Sequence, residues 1–492
     1  MTAPGITVTT AVATPPPIPN VPTATWYVTG QAQRGPVGEP IKLQSMADYG
    51  AKLGDRSGYA SLYDALDLFF RDGGLLAYVS RVAGPAAGRA SLVLSDQATT
   101  PLPTLKVEAS SEGAWGNDLK VAVIGGSVTG TYRLQISYKG ANVETSPNLT
   151  TPDDAVNWSV LSAYVNIEDQ GSTTAAPDNA PDTLTATSLT GGADDLANVV
   201  EDTWTAALDV FPPDLGPGQV SAPGRTTDAA HQALVTHAAG HNRIAVLDAP
   251  DVSDVSTLVT AAGAAITGGL DGSRGALVAP WVKIPGVPTA NGLPAAPRIA
   301  PPSALAAARI AATDVSTGNP NTAAAGVVAG ASSYAIGVTQ TFTDAARGDL
   351  NEAGVIVIRN IASVVQVYGF RSLSPLSPDY KQLNWSRLRM AIQNEGQAIA
   401  DNIAQFADID AKGQLLGRLN GHLAGMLQRY WQIGALYGNS ASEAFQVDTS
   451  SAVNTVETAA QGKVLAVLRI KRSAVSEFTE ISIINVPLTD PL

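Results

Sequence analysis

The sequence predicts a multi-domain α/β (α+β) protein with an inserted, mainly β domain and an extended arm at each end. Three observations carry this. Short apolar runs alternate with amphipathic helical stretches on both sides of a β-rich middle, the order that builds parallel βαβ units. Charge is uneven: residues 91–195 hold 4 Lys/Arg against 13 Asp/Glu, whereas residues 355–492 hold 12 against 11. The chain also opens with a β-branched, period-2 run that has no local partner.

That opening run places Ile6, Val8 and Val12 on one side of a strand. Pro15, Pro16 and Pro17 follow, and a proline run is extended and cannot turn back as a tight hairpin. Residues 1–22 therefore read as a strand on a stiff tether, a hazard unless a sheet edge receives it.

Residues 23–90 read as the first part of an α/β core. Trp26–Val28 is a strand, Ser45–Leu53 and Ser61–Phe70 are helices, Asp72-Gly73-Gly74 breaks the second, and Leu76–Val82 returns as a strand. Residues 91–195 form the acidic β-rich insert, with strands at Leu119–Ile124 and Tyr132–Tyr138. Residues 196–355 resume the core: a helix at Thr227–Ala239, a buried strand at Ile244–Leu247, a helix at Val255–Ile266 and a strand at Ala276–Val282. Ala304–Ala312 is a short helix.

Residues 356–476 form the last block. Its strands are Val355–Ile358, Val364–Tyr368 and a continuous apolar run, Val464–Ile470, that includes Val467. Ser386 caps a helix running to Phe406, and a second helix covers about 411–433. That second helix carries Gly413, Gly417, Gly421 and Gly425. Each interior glycine costs about 1 kcal/mol against alanine, so close packing of another backbone, within the subunit or between subunits, is the expected compensation, with a tolerated, slightly weak helix as the alternative. Residues 477–492 supply a second arm, with Phe478, Ile481, Ile483 and Val486 in a terminal strand.

Composition narrows the function. The net charge of −13 argues against nucleic acid as the main partner. With no cysteine there is no disulfide, thiolate metal site or cysteine nucleophile. No basic-then-apolar leader and no membrane-length apolar run is expected. His231, His237 and His241 include the i, i+4 spacing of a zinc helix, but Ala238 stands where a zincin places its glutamate base. A metal-dependent hydrolase on these histidines is thus a weak alternative. Gly191-Gly192-Ala193-Asp194-Asp195 lacks the lysine of a phosphate loop and the spacing of an EF-hand. No catalytic residue, cofactor or metal ligand is expected.

Ordered fragments run along most of the chain. They begin with Trp26-Tyr27-Val28-Thr29-Gly30, Arg34-Gly35-Pro36-Val37-Gly38-Glu39-Pro40 and Leu68-Phe69-Phe70-Arg71-Asp72-Gly73-Gly74. Gly113-Ala114-Trp115-Gly116-Asn117-Asp118 and Leu189-Thr190-Gly191-Gly192 flank the insert. Arg309, Thr313-Asp314, Tyr368-Gly369-Phe370-Arg371, Asn384-Trp385-Ser386-Arg387 and Glu443-Ala444-Phe445-Gln446-Val447 follow. Together they resemble the contractile tail sheath proteins of bacteriophages and related injection systems. Ser316-Thr317-Gly318-Asn319-Pro320 departs from that pattern, which would hold a tryptophan there.

The resemblance implies a tail-sheath core of α/β sandwiches, an insert facing solvent and a C-terminal block facing a tube. It implies a structural subunit, not an enzyme, that forms six-fold rings or a helical polymer around a rigid tail tube. Contraction would drive the tube through a cell envelope. Partners would be the tube protein, baseplate and tail terminator proteins, with no direct nucleic acid and no membrane insertion. Location would be a virion tail or a contractile particle, assembled in a bacterial cytoplasm. Ile6–Val12 and Phe478–Val486 would be strands donated to neighbours, Val464, Val467 and Ile470 the receiving sheet, and Pro15–Pro17 the hinge. A passive shell or surface-layer protein is the alternative that shares the arms.

Overall fold

The chain folds β1 (Trp26–Gly30), β2 (Ile41–Leu43), α1 (Met46–Leu53), α2 (Ala60–Arg71) and β3 (Ala77–Arg81) in that order. These positions come from a computed structural model, which describes residues 23–56, 58–287, 295–410 and 412–477. The expected arm residues Ile6, Val8, Val12, Phe478, Ile481, Ile483 and Val486, and the linker Pro15–Pro17, lie outside the described residues.

The insert follows: β4 (Ser91–Ser95), β5 (Pro103–Ala109), β6 (Leu119–Gly125), β7 (Tyr132–Tyr138), β8 (Ala141–Thr145), α3 (Pro152–Ser159), β9 (Val165–Asp169) and β10 (Leu184–Ser188). Strands β10-β6-β7-β8 make one antiparallel sheet and β4-β5-β9 another. Alternate residues of both sheets, among them Leu105, Val107, Val121, Leu134 and Ile136, share one core with Trp115. The β reading of this segment holds.

The core then resumes with α4 (Glu201–Asp209), β11 (Gln219–Ser221), α5 (Asp228–Gly240), β12 (Ile244–Asp248), α6 (Val255–Ala264) and β13 (Gly275–Ala279). Next come β14 (Val282–Ile284), β15 (Arg298–Ala300), α7 (Pro302–Thr317), α8 (Gly326–Ala329), β16 (Gly337–Val338), α9 (Asp344–Glu352), β17 (Val355–Ile361) and β18 (Val364–Val367). Eight strands form one sheet, β18-β17-β13-β12-β11-β1-β3-β2. Its six inner strands are parallel and its two edge strands antiparallel.

The pleat divides the side chains between two cores. Trp26, Val28, Val246, Val278 and Ile356 face one, packed with Leu66, Phe69 and Leu305. Tyr27, Ala245, Leu247, Leu277 and Val357 face the other, packed with Leu208, Leu234 and Leu258. A parallel sheet covered on both faces is why β12 and β13 read as unbroken apolar runs.

Several boundaries differ from expectation. The run Ala276–Val282 is two strands in two sheets, with Pro280 between them. The strands around 355–368 belong to the core sheet, so the last block does not begin at 356. The chain instead divides into two compact units, Thr23–Met390 and Ala391–Ser473, with residues 474–477 returning to the first. The crossing lies inside α10 (Leu383–Ile403). Ser386 is therefore a buried residue of that helix and not its cap.

In the second unit, α11 (Gln414–Gln432) buries Leu415, Leu419, Leu423, Met426, Leu427 and Tyr430 along one stripe. Glu395 of α10 is buried and pairs with Arg429 of α11. Phe406, expected as the last residue of that helix, sits beyond the end of α10 with φ +58° and is 98% exposed. The unit closes with β19 (Phe445–Asp448) and β20 (Val467–Ile470). Strand β20 is thus shorter than the expected Val464–Ile470, and Val464 precedes it.

Candidate assembly interface and its anchors

Strands β19 and β20 pair only with each other among the described residues. The register is Phe445↔Ile470, Gln446↔Arg469, Val447↔Leu468 and Asp448↔Val467. A two-stranded sheet is marginal on its own in water, and an open edge is a template for another strand. Val467 is exposed and Ile470 half-buried, so apolar surface accompanies that edge. This is the element that fits the expected receiving sheet.

The glycines of α11 divide between a helix start and an open face. Gly413 precedes the helix with φ +73°, a conformation that glycine adopts without strain. A Cβ placed at Gly417, Gly421 or Gly425 meets nothing within 4 Å. The stripe lies on the exposed side of α11, opposite the leucines. Among the described residues no close backbone contact offsets its cost.

Buried ion pairs, which the sequence does not advertise, fix the ends of the first unit. Arg81 and Asp194 are 1% and 9% exposed and pair at 2.7 Å. Asp194 also accepts from Tyr59 Oη at 3.0 Å and from the Ala114 amide at 3.1 Å. Arg81 donates to the carbonyls of Ala32, Gly35 and Glu112 at 3.0, 2.8 and 2.8 Å. Burial pulls its pKa down, and the Asp194 carboxylate opposes that. The Gly191–Asp195 loop is therefore a structural closure at the base of the insert.

Asp314 does comparable work at Thr23, the first described residue. It takes a hydrogen bond from the Thr23 hydroxyl and a bidentate contact from Arg387 Nη2. Gln219 Nε2 donates to the Thr23 carbonyl at 2.8 Å. Arg387 lies in the first turns of α10 and also reaches the Pro320 carbonyl at 3.2 Å. Ser316 and Thr317 end α7, and Gly318 closes it at φ +62°.

The histidines do not assemble. His231 Nε2 lies 3.0 Å from the Asp248 carbonyl oxygen, while His237 Nε2 accepts from Arg243 Nη1 at 2.9 Å. His237 and His241 stack at 4.0 Å. Among the described residues no group of three or more His, Cys, Asp or Glu is placed to hold a metal. Burial first, then His241 and Arg243, pushes the His237 pKa down to about 3.

A depressed histidine pKa means the unfolded chain binds the proton more readily. Its contribution is intact above about pH 6.5 and is lost as pH falls toward 3. Asp248 works the other way, since burial pushes its carboxyl up to about 6. His237→Gln keeps an acceptor for Arg243 and is expected to flatten the fall in stability between pH 6.5 and 4. At about 1.4 kcal/mol per pKa unit the difference reaches at most ~3 kcal/mol, measured by denaturant unfolding across that range. An unchanged slope would show that another group controls the acid limb.

Comparison with known proteins places this architecture. The chain has the fold of sheath proteins from phage tails and contractile injection systems. A sheath tail protein from Listeria innocua matches with 17% identity and TM-score 0.61, over 88% of this chain and 89% of that one. One from Desulfitobacterium hafniense matches with 16% identity and TM-score 0.58, over 90% and 93%. The sheath of an extracellular contractile injection system, PVC, in its contracted state matches with 15% identity and TM-score 0.58, over 98% and 97%. No curated protein matches. Residues 197–373 match the family model of the phage tail sheath protein central domain. That span runs from the close of the insert through β18.

Proposed function

We propose that the chain is the structural subunit of a contractile sheath, a non-catalytic polymer-former that surrounds a rigid tail tube. The observation that carries this reading is the sheath fold combined with a two-stranded β19–β20 sheet that has no further strand partner among the described residues. Residues 6–12 of one neighbour and 478–486 of another complete that sheet by strand addition, whose main-chain hydrogen bonds survive rotation about a tether. The proline run is the hinge. The unit built on Ala391–Ser473 faces the tube and the acidic insert faces solvent. Contraction follows from bistable packing and not from nucleotide hydrolysis.

Among the described residues no helix is long and apolar enough to cross a membrane. Tube, baseplate and terminator proteins are the proposed partners, and a tail or free contractile particle the proposed location.

Deleting residues 1–22 is expected to leave a folded subunit that forms no ordered sheaths by electron microscopy. Normal polymers from the truncated chain would sink the strand-exchange reading. A companion variant tests the glycine stripe. Gly417→Leu with Gly421→Leu is expected to raise subunit stability by about 1–2 kcal/mol through helix propensity. Loss of assembly despite that gain assigns the stripe to contact between subunits; unchanged assembly removes it from the interface.

A further inference from the structure

The insert meets the rest of its unit at a buried cation. Arg34, in the loop between β1 and β2, is 8% exposed. The α/β body fixes it first. Its amide donates to the Leu53 carbonyl at 3.1 Å, and Nη2 donates to the Gly50 and Ala51 carbonyls at 3.0 and 2.9 Å. These carbonyls belong to the last turn of α1, where orphan acceptors and the helix dipole favour a positive charge.

The insert closes over the other side of the same group. The guanidinium carbon lies 5.6, 6.0 and 5.0 Å from the ring centres of Trp115, Tyr138 and Tyr164. A cation within about 6 Å of a ring centre is attracted by the negative face of the ring. The rings also pack on one another, Trp115 edge-on to Tyr138 at 6.0 Å and Tyr138 against Tyr164 at 5.9 Å. Arg34 Nε and Nη1 are buried with no hydrogen-bond partner among the described residues. The cage of rings is what offsets burying that part of the charge.

The three rings come from separate parts of the insert. Trp115 lies in the turn Ala114–Asp118, Tyr138 ends β7 in one sheet, and Tyr164 immediately precedes β9 in the other. Two backbone crossings alone would let the insert pivot. A pivot here pulls rings of both sheets off a guanidinium that stays with α1. Two polar contacts accompany the cage: the Gly35 amide donates to Ser111 Oγ at 2.9 Å, and Lys139 pairs with Asp55 at 2.9 Å. The second is half-exposed and adds little by itself. We propose that Arg34 is a latch that locks the insert to the α/β body at one angle, so that the two move as a single rigid piece. The latch is independent of what the chain assembles into.

The absence of cysteine makes the test direct. Thr185→Cys in the insert and Ser256→Cys on α6, both exposed, give one pair of spin-label sites in the full chain. In dilute, unpolymerised protein, double electron–electron resonance is expected to return one narrow distance peak. Arg34→Ala is expected to widen that peak at least two-fold. Arg34→Lys keeps the charge without the planar fork and is expected to fall between the two. Tyr138→Leu with Tyr164→Leu keeps apolar bulk, leaves α1 and Arg34 unaltered, and is expected to widen the peak as Arg34→Ala does. A broad distribution in the unaltered chain overturns the latch. So does a peak that stays narrow after either the alanine or the double leucine change, in a chain whose circular dichroism is preserved. Should Arg34→Ala fail to fold, the leucine pair decides alone.

Discussion

Arg81→Ala is expected to lower the unfolding free energy by about 3–5 kcal/mol, because it leaves Asp194 as a buried, uncompensated charge. The magnitude follows from burial and not from the pair alone. An exposed pair is worth about 0–1 kcal/mol and is screened by salt. Here both side chains lie below one-tenth exposure, and Arg81 also satisfies three carbonyls. Asp194→Ala in the Arg81→Ala background is expected to add little, since the two groups act as one unit. The measurement is the denaturant midpoint of the full chain. A loss below about 1 kcal/mol would place the pair among screened surface contacts and remove the closure role assigned to it. The insert should register the change first, as faster amide exchange in β4 and β6 than in β12.

Arg387→Ala is expected to have an effect of the same order, about 3–5 kcal/mol, with a different readout. Arg387 is fully buried, and Asp314 would keep only the Thr23 hydroxyl as a side-chain partner. The Asp314 cluster joins Thr23 to the start of α10. Loss should therefore loosen Thr23 and the first turns of α10 together, seen as coupled amide exchange at residues 23–26 and 383–390. Arg387→Lys keeps a charge but not the planar fork, and is expected to recover only part of the stability. Full recovery by lysine would show that charge alone, without the second contact to Pro320, is what the site needs. Independent behaviour of the two segments would remove the coupling.

The elements most legible in the sequence were those whose signal is local. Ile244–Asp248 is an unbroken apolar run because its sheet is covered on both faces. Asp228–Gly240 is announced by Thr227, whose hydroxyl accepts from the Ala230 amide. The segment Gln219–Ser221 was invisible: three residues with a buried glutamine and serine carry no period, and only flanking strands make them a strand. The boundary at 356 failed for a related reason. Val355–Ile361 pairs with β13, nearly eighty positions earlier, and no local pattern reports such a partner.

The anchors were illegible for a further reason. Nothing separates Arg81, Arg371 or Arg387 from a surface arginine until their carboxylates arrive from 113, 106 and 73 positions away. The fragments that carried the resemblance did contain Arg371, Asp314 and Arg387. Order along the chain had marked them, although their contacts were not readable. The glycine stripe was legible as a face, since regular spacing shows which residues share a side of a helix but not what covers it.

The insert leaves and rejoins the body at one point. Gly84 N donates to Asp194 O at 2.9 Å, and Gly88 N to Ala193 O at 2.9 Å, so outgoing and returning backbone run side by side. For a protein engineer this is a socket. A loop whose two feet touch imposes no stretching on what it carries, and its closure entropy grows only slowly with length. The segment between Gly88 and Ala193 is therefore a natural position for exchanging or removing a whole module. A short linker can bridge the feet while the eight-stranded sheet keeps its register.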